Sequence, residues 1–253
     1  MRFLTDTWIV FSRAMRLSVR NPIWVILGLI QPILYLSLFG PLLKPVAESP
    51  GFPPGDPWQV FVPGLLVQLG IFGAAFVGFG LVAEYRAGVV ERMRVTPASR
   101  LSLLLGRVMR DVIVLLVQGT ILIGAALIFG LRAPIASLIV GLVVVGALGA
   151  SFSALSYAAA LTLKSEDALA PLLNGLAVPT LLLSGILLPM SLAPRWLELV
   201  SDFNPIKHIV DGIRQIFLGE VFTGVVGWGV LLTAAMIAVG LAVGARNFQK
   251  ETS

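Results

Sequence analysis

Six stretches of this chain run for about 20 residues each with almost no charge, and that pattern leaves few folds open. They occupy 23–43, 58–83, 108–130, 135–163, 171–189 and 224–245. A helix needs about 20 mostly apolar residues to cross the hydrocarbon of a bilayer, whereas barrel strands alternate in segments of about ten. Hydrophobic residues make up 57% of the 253 and charged residues only 12%, against about 25% charged in soluble domains. A water-soluble core does not require so much apolar surface. The fold class read from this is an all-α membrane protein with six transmembrane helices. The fourth run is longer than one perpendicular crossing needs and is expected to tilt or to extend past the lipid.

Six spans put both ends of the chain on one side. On that side fall Arg2, Arg13, Arg16, Arg20, Arg86, Arg92, Arg94, Arg100, Arg107, Arg110, Lys164, Arg246 and Lys250, thirteen of the 18 basic residues. Only Lys44, Arg132, Arg195, Lys207 and Arg214 fall on the other. Basic excess marks the cytoplasmic face, so both termini are expected in the cytoplasm, with the protein in the cytoplasmic (inner or plasma) membrane. The sequence pI near 10.1 therefore reports topology and not a nucleic-acid partner. With no cysteine, disulfides and thiolate metal sites are excluded.

The first apolar run starts only after an amphipathic segment, with no small-residue cleavage site behind it, so a cleaved signal peptide is not expected. Residues 1–22 read instead as an interfacial helix. Trp8, Ile9, Phe11, Met15 and Val19 gather on one broad apolar side, and Arg13, Arg16 and Arg20 can snorkel toward lipid headgroups.

Between the second and third runs lies a basic amphipathic block, EYRAGVVERMRVTPASR, at 84–100. Val89, Val90 and Met93 fall near one helical face, with Glu84, Arg86, Glu91, Arg92 and Arg94 on the others. Thr96-Pro97 breaks that helix and Ser99 offers an N-cap for the next. The block serves either as a docking surface for a cytoplasmic partner or as a loop that only fixes topology.

A second informative stretch, 190–223, follows the fifth run. Asn204-Pro205 is an N-cap followed by an N1 proline. Ile206, Ile209, Val210, Ile213, Ile216 and Phe217 recur at helical spacing, and Gly219 can cap the end. Lys207, Asp211, Arg214 and Gln215 fill the other face, where Lys207 with Asp211 and Asp211 with Arg214 can pair. Ala193 to Asp202 supplies another short piece with Trp196, Leu197 and Val200 on its apolar side. Two such helices flanked by Pro189 and Pro194 read as short outer re-entrant or interfacial helices. The lone His208 has no clustered carboxylates with which to build a metal or catalytic site.

The polar residues inside the runs are mild. Gln68, Gln118, Ser156, Tyr157 and Asn174 are candidates to line a substrate pathway. Small and weakly polar residues such as Ser151, Ser156, Gly146, Gly149, Gly240 and Gly244 serve equally as helix-packing contacts. Because acids and bases sit at or near the boundaries, ion-coupled carriage is disfavoured. Ser184 with His208 is a poor match for an intramembrane serine protease, since nucleophile and base need hydrogen-bond reach. A channel or scaffold is the remaining alternative.

Two passages carry a family resemblance. GVVERMRVTPASRLSLLLGRV resembles the second-to-third-span loop of type-2 ABC exporter permeases of the daunorubicin-resistance class. LLLSGILLPMSLAPRWLELVSDFNPIKHIVDGIRQIFLG is similar to the fifth-span and outer-helix signature of the same family. The resemblance implies that 89–96 is a coupling helix docking into an ABC nucleotide-binding subunit through Val89, Glu91, Arg92, Met93, Arg94 and Thr96. It implies a connecting helix at 5–20, outer helices bounding the exit, and a second permease copy, identical or a sister chain. The expected activity is ATP-driven export of a hydrophobic or amphipathic cargo, such as a drug, antibiotic or lipid-like molecule, or alternatively a glycolipid or polysaccharide. No GxxxxGK[ST] accompanies any of the four lysines, so ATP and Mg are expected on the partner, with no cofactor and no catalytic site here.

Overall fold

A computed structural model describes residues 2–50, 52–53, 55–89 and 99–250, and every regular element among them is helical. Helix α1 (Arg2–Arg20) lies along the flank of α5 (Arg100–Phe129), which forms the whole third span. It can approach because Gly106 of α5 has no side chain; a Cβ there would stand 2.8 Å from the Thr7 carbonyl oxygen. Thr7 and Phe11 turn inward while Trp8, Ile9 and Val19 stay exposed. The apolar side expected of this helix is thus divided, Phe11 going to the protein and Trp8 left for the lipid boundary.

Helix α2 (Ile23–Ala47) contains Pro32, Pro41 and Pro45 and leaves Ile26, Leu27, Ile30, Leu34, Leu38 and Leu42 exposed. The second run forms two helices rather than one. Helix α3 (Pro57–Ala75) starts with a capping box, in which the Asp56 carboxylate accepts from the Trp58 amide at 3.0 Å and the Gln59 side chain accepts from the Asp56 amide at 3.3 Å. It stops at a turn through Phe76 and Val77, and α4 (Gly78–Arg86) continues beyond. Around that break the ladder shifts to shorter bonds, Val77 to Ala74, Phe79 to Phe76 and Gly80 to Val77.

Ser99 caps α5 by accepting from the Ser102 amide at 3.2 Å, and Gly130 ends it at φ +112°. Helix α6 (Ile135–Leu163) ends on Lys164 in the left-handed region. Helix α7 (Glu166–Leu182) begins earlier and ends earlier than the expected 171–189 span. Its 17 residues rise about 26 Å, short of about 30 Å of hydrocarbon. The chain then turns through 183–189, where Gly185 sits at φ +69° and Pro189 supplies no donor. A single 3₁₀ turn (Met190–Leu192), α8 (Arg195–Ser201) and α9 (Pro205–Phe217) follow, and α10 (Gly224–Lys250) completes the bundle. Among the described residues five segments are long and apolar enough to cross a membrane: Val25–Leu43, Pro57–Arg86, Arg100–Phe129, Ile135–Leu163 and Gly224–Phe248.

Two apolar cores stack along the bundle. One, toward α9, gathers Phe61, Leu65, Leu66, Leu122, Val145, Ile186 and Phe217. The other, toward α1, gathers Leu81, Val82, Leu104, Val108, Tyr157, Leu161 and Phe248. Small residues bring the helices together between them. A Cβ on Gly240 of α10 would lie 2.6 Å from Ser151 Oγ, and that hydroxyl donates to the Met236 carbonyl at 2.6 Å. Gly240, Gly244 and Ser151 are therefore close-packing contacts between α6 and α10.

Candidate functional site

Charge concentrates at the two ends of the bundle. At the α1 end, Arg107 of α5 is 7% exposed and its Nη2 donates to Glu84 Oε2 at 2.5 Å. One helical turn along, Arg110 Nε stands 3.1 Å from Asp111 Oδ1, and Asp111 Oδ2 accepts from the Tyr157 hydroxyl at 2.7 Å. The remaining Arg110 nitrogens donate to Ser18 Oγ and to Tyr157 Oη, each at 3.4 Å. The two acids and two arginines balance, so a neutral cluster joins α1, α4, α5 and α6 without an uncompensated buried charge. Helix α4 gains two further ties beside it. Arg86 pairs with Glu166 at 3.5 Å, and Lys164 lies 5.5 Å from the Tyr85 ring centroid.

Ser156 completes this end. Its hydroxyl accepts from the Gly78 amide at 2.9 Å and donates to the Ala75 carbonyl. Those are two main-chain groups that the interruption of α3 takes out of the helical ladder. A Cβ at Gly78 would stand 2.6 Å from the Ser156 carbonyl oxygen, so only glycine lets α4 come this close to α6.

At the opposite end, Arg214 of α9 is 4% exposed. Its Nε donates to the Val60 carbonyl of α3 at 2.8 Å and its Nη2 to the Gly185 carbonyl at 2.6 Å, while Nη1 stands 3.4 Å from Asp211 Oδ1. Ser137 Oγ donates to the Ile216 carbonyl at 2.7 Å and Asn204 Nδ2 to the Thr180 carbonyl at 2.9 Å. The 183–189 turn is drawn onto α3 as well, since Gly64 faces the Ile186 backbone with no room for a Cβ. The result is a cap of α8, α9 and the turn, sewn to three helices.

Of the candidate pathway residues, Gln118 donates to the Val25 carbonyl of α2 at 2.8 Å, and Ser156 and Tyr157 hold the contacts just given. Asn174 is exposed on α7, its Nδ2 turned back to Ala170 at 3.0 Å. Gln68 is 1% exposed, and neither amide atom meets a partner among the described residues. The structure does not bring these five to one place. Val89 is half-buried just beyond α4, whereas Glu91, Arg92, Met93, Arg94 and Thr96 lie outside the described residues.

Arg214 corrects an expectation. It shares the sequence period of Lys207 and Asp211, yet its side chain is buried and reaches two other elements. Lys207 likewise pairs with Asp202 rather than with Asp211. That ion-paired hydrogen bond holds the Asp202 carboxyl below its usual range. His208 Nε2 lies 2.9 Å from the Asp202 carbonyl, and the Ser184 hydroxyl is spent on Leu181 at 2.6 Å, so each has a local main-chain partner. Among the described residues no cluster of acidic or histidine side chains could hold a metal ion. Nothing in the sequence reading singled out Arg107, Asp111 or Arg214 as partners of buried groups. The available signal was the placement of charges at the foot of an apolar run, where burial demands partners.

Five long apolar helices, a flanking amphipathic helix and a capped end define a polytopic helical membrane protein. The model of the ABC-2 type transporter family matches residues 5–218, and the chain belongs to that family. It is 27% identical over 217 residues to a putative transport permease, ycf38, of Cyanophora paradoxa, covering 85% of this chain and 75% of the relative. Against the ycf38 permease of Porphyra purpurea it is 30% identical, covering 78% and 69%. A daunorubicin resistance ABC transporter permease protein, DrrB1 of Streptomyces coeruleorubidus, is 24% identical, with 93% and 82% covered.

Proposed function

We propose that this chain is the permease subunit of an ATP-driven exporter, working as a pair of permease copies with two ABC nucleotide-binding subunits. The carrying observation is the family match across 5–218. Helix α7 and the 183–189 turn together make the fifth of six crossings, shortened because the cap folds back onto α3. The α1 end faces the cytoplasm, by the distribution of basic residues. The segment 89–96 docks in the ATPase, with Glu91 and Arg92 as its exposed charged contacts. ATP and Mg bind on that partner, and the permease itself needs no cofactor.

The cargo is hydrophobic or amphipathic. Support comes from the daunorubicin-resistance relative and from spans whose polar groups are mild. The apolar exposed sides of α2 and α7 face lipid, the second copy and the pathway between copies. Asn174 is already exposed on α7, whereas the buried Gln68 and Gln118 would contact cargo only as the helices around them part. The test is a mild-detergent pull-down of the tagged chain followed by ATPase assay in lipid. Copurification of a stoichiometric ATP-binding subunit with vanadate-sensitive turnover supports the reading. Recovery of the chain alone, without ATPase activity in several detergents, overturns it in favour of a channel or scaffold.

A further inference from the structure

The second span is jointed, and each half is fastened to a different end of the molecule. Helix α3 is held to the cap through Val60 and Arg214 and through the Gly64 contact with the turn. Helix α4 is held to the α1 end through Glu84 and Arg107, and packs in the other apolar core through Leu81 and Val82. Between them the Phe76–Val77 break has its free amide and carbonyl met by a single hydroxyl, that of Ser156. A helix interrupted by shorter hydrogen bonds and satisfied from outside can bend without exposing unpaired main-chain groups to lipid.

Helix α4 also leads directly into residues 87–99, which connect it to α5. A push on that connection therefore arrives first at α4, and Glu84 stands in its last turn. The carboxylate is tied to an arginine on α5, which is itself joined through Arg110, Ser18 and Tyr157 to α1 and α6.

From this arrangement we propose that Glu84 and Arg107 are positioning residues for energy coupling. They make α4 and the foot of α5 move as one body, bending the second span at the Ser156-satisfied joint. The inference rests on the permease reading, because it needs an ATPase to supply the push. In water-filled or loosely packed surroundings such an ion pair would be weak and easily broken. Here Arg107 is almost fully covered and Glu84 is half-buried, so the pair is shielded mainly on the arginine side and can carry load.

The chain contains no cysteine, which makes spin-label distance measurement direct. Labels at Ala87→Cys, Met109→Cys and Phe222→Cys report on the end of α4, the α5 foot and the segment just after α9; all three native residues are exposed. The complex with its ATPase is compared in lipid nanodiscs without nucleotide and with ATP plus vanadate. The expected result is an unchanged Ala87–Met109 distance beside a shifted Met109–Phe222 distance. In Glu84→Gln the Ala87–Met109 distribution should broaden with nucleotide and the Met109–Phe222 shift should fall by at least half. The charge-swapped pair Glu84→Arg with Arg107→Glu should restore both. Full shifts and unbroadened distances in Glu84→Gln overturn the proposal. So does a variant whose only defect is a smaller assembled fraction, since that marks a merely structural pair. Failure of the unsubstituted chain to copurify an ATPase refutes the underlying permease reading instead, so the two failures are separable.

Discussion

Arg214 donates through Nη2 to the carbonyl oxygen of Gly185 at 2.6 Å, fastening the helix before the last span to the turn that ends α7. The same guanidinium gives Nε to Val60, so one buried side chain joins α9 to both the turn and α3. A planar fork serves this geometry, whereas a lysine offers a point charge that cannot address two carbonyls set apart in this way.

Arg214→Leu should therefore destabilise the cap strongly. It withdraws the donor from two carbonyls, each costing about 1–3 kcal/mol when left unpaired and buried, for a total of about 2–6 kcal/mol. Arg214→Lys should recover only part of that loss. Thermal unfolding in a fixed detergent checks both; equal melting temperatures for all three proteins would mean the bridge carries no load.

Gly64→Ala tests the approach of the turn to α3. The added methyl would meet the Ile186 backbone, and Ile186 is fully buried, so the neighbour that must yield is main chain. Overpacking of this kind costs about 1–3 kcal/mol. Gly175→Ala on α7 is the control, because nothing lies within 4 Å of its Cβ position. Limited proteolysis of the 183–204 segment should accelerate in the first variant and stay unchanged in the second.

The contrast between these sites explains what could be read in advance. In α9 the spacing of Ile206, Ile209, Val210, Ile213, Ile216 and Phe217 named the buried face correctly, and all six are buried. Asn204, Ser99 and Gly219 take the capping and left-handed roles expected of their residue types. Periodicity tells which side of a helix a residue leaves from, but not how far a long side chain reaches. The acceptors of Arg214 lie 154 and 29 residues away in sequence, so a surface i,i+3 pair with Asp211 was all that local spacing could indicate. The break in the second span is similarly hidden. The run 71–82 carries no proline to mark it, and the hydroxyl that satisfies it comes from Ser156, 81 residues from Ala75. In α7 the prolines Pro171 and Pro179 sit inside the helix, which ends instead where the 183–189 turn packs onto α3.

Tyr157→Phe asks whether the foot cluster depends on its fully buried neutral member. The substitution keeps the ring, which is fully buried, and deletes the donor to Asp111. Loss of a hydrogen bond to a charged acceptor costs about 1.5–3 kcal/mol. The expected outcome is a lowered unfolding temperature with the 18–20 region of α1 exchanging amide hydrogens faster, because Arg110 holds Ser18 as well. Unchanged exchange in α1 would separate Asp111 from the anchoring of that helix.

Gln68→Leu should go the other way. Its carboxamide is buried at 1% exposure with neither end paired among the described residues, a placement that costs about 1–3 kcal/mol. Leucine has nearly the same length and no polar atom to leave unpaired, so the substituted chain should unfold at the same or a higher temperature. A group retained at such a cost is expected to find partners in another state, when α3 moves and the carboxamide meets cargo, water or a neighbouring helix. Stability and turnover should then part company in Gln68→Leu, with the melting temperature held or raised and the ATPase rate of the reconstituted complex reduced several-fold. A drop in both would make Gln68 an ordinary packing residue, and a gain in stability at full turnover would remove it from the working cycle.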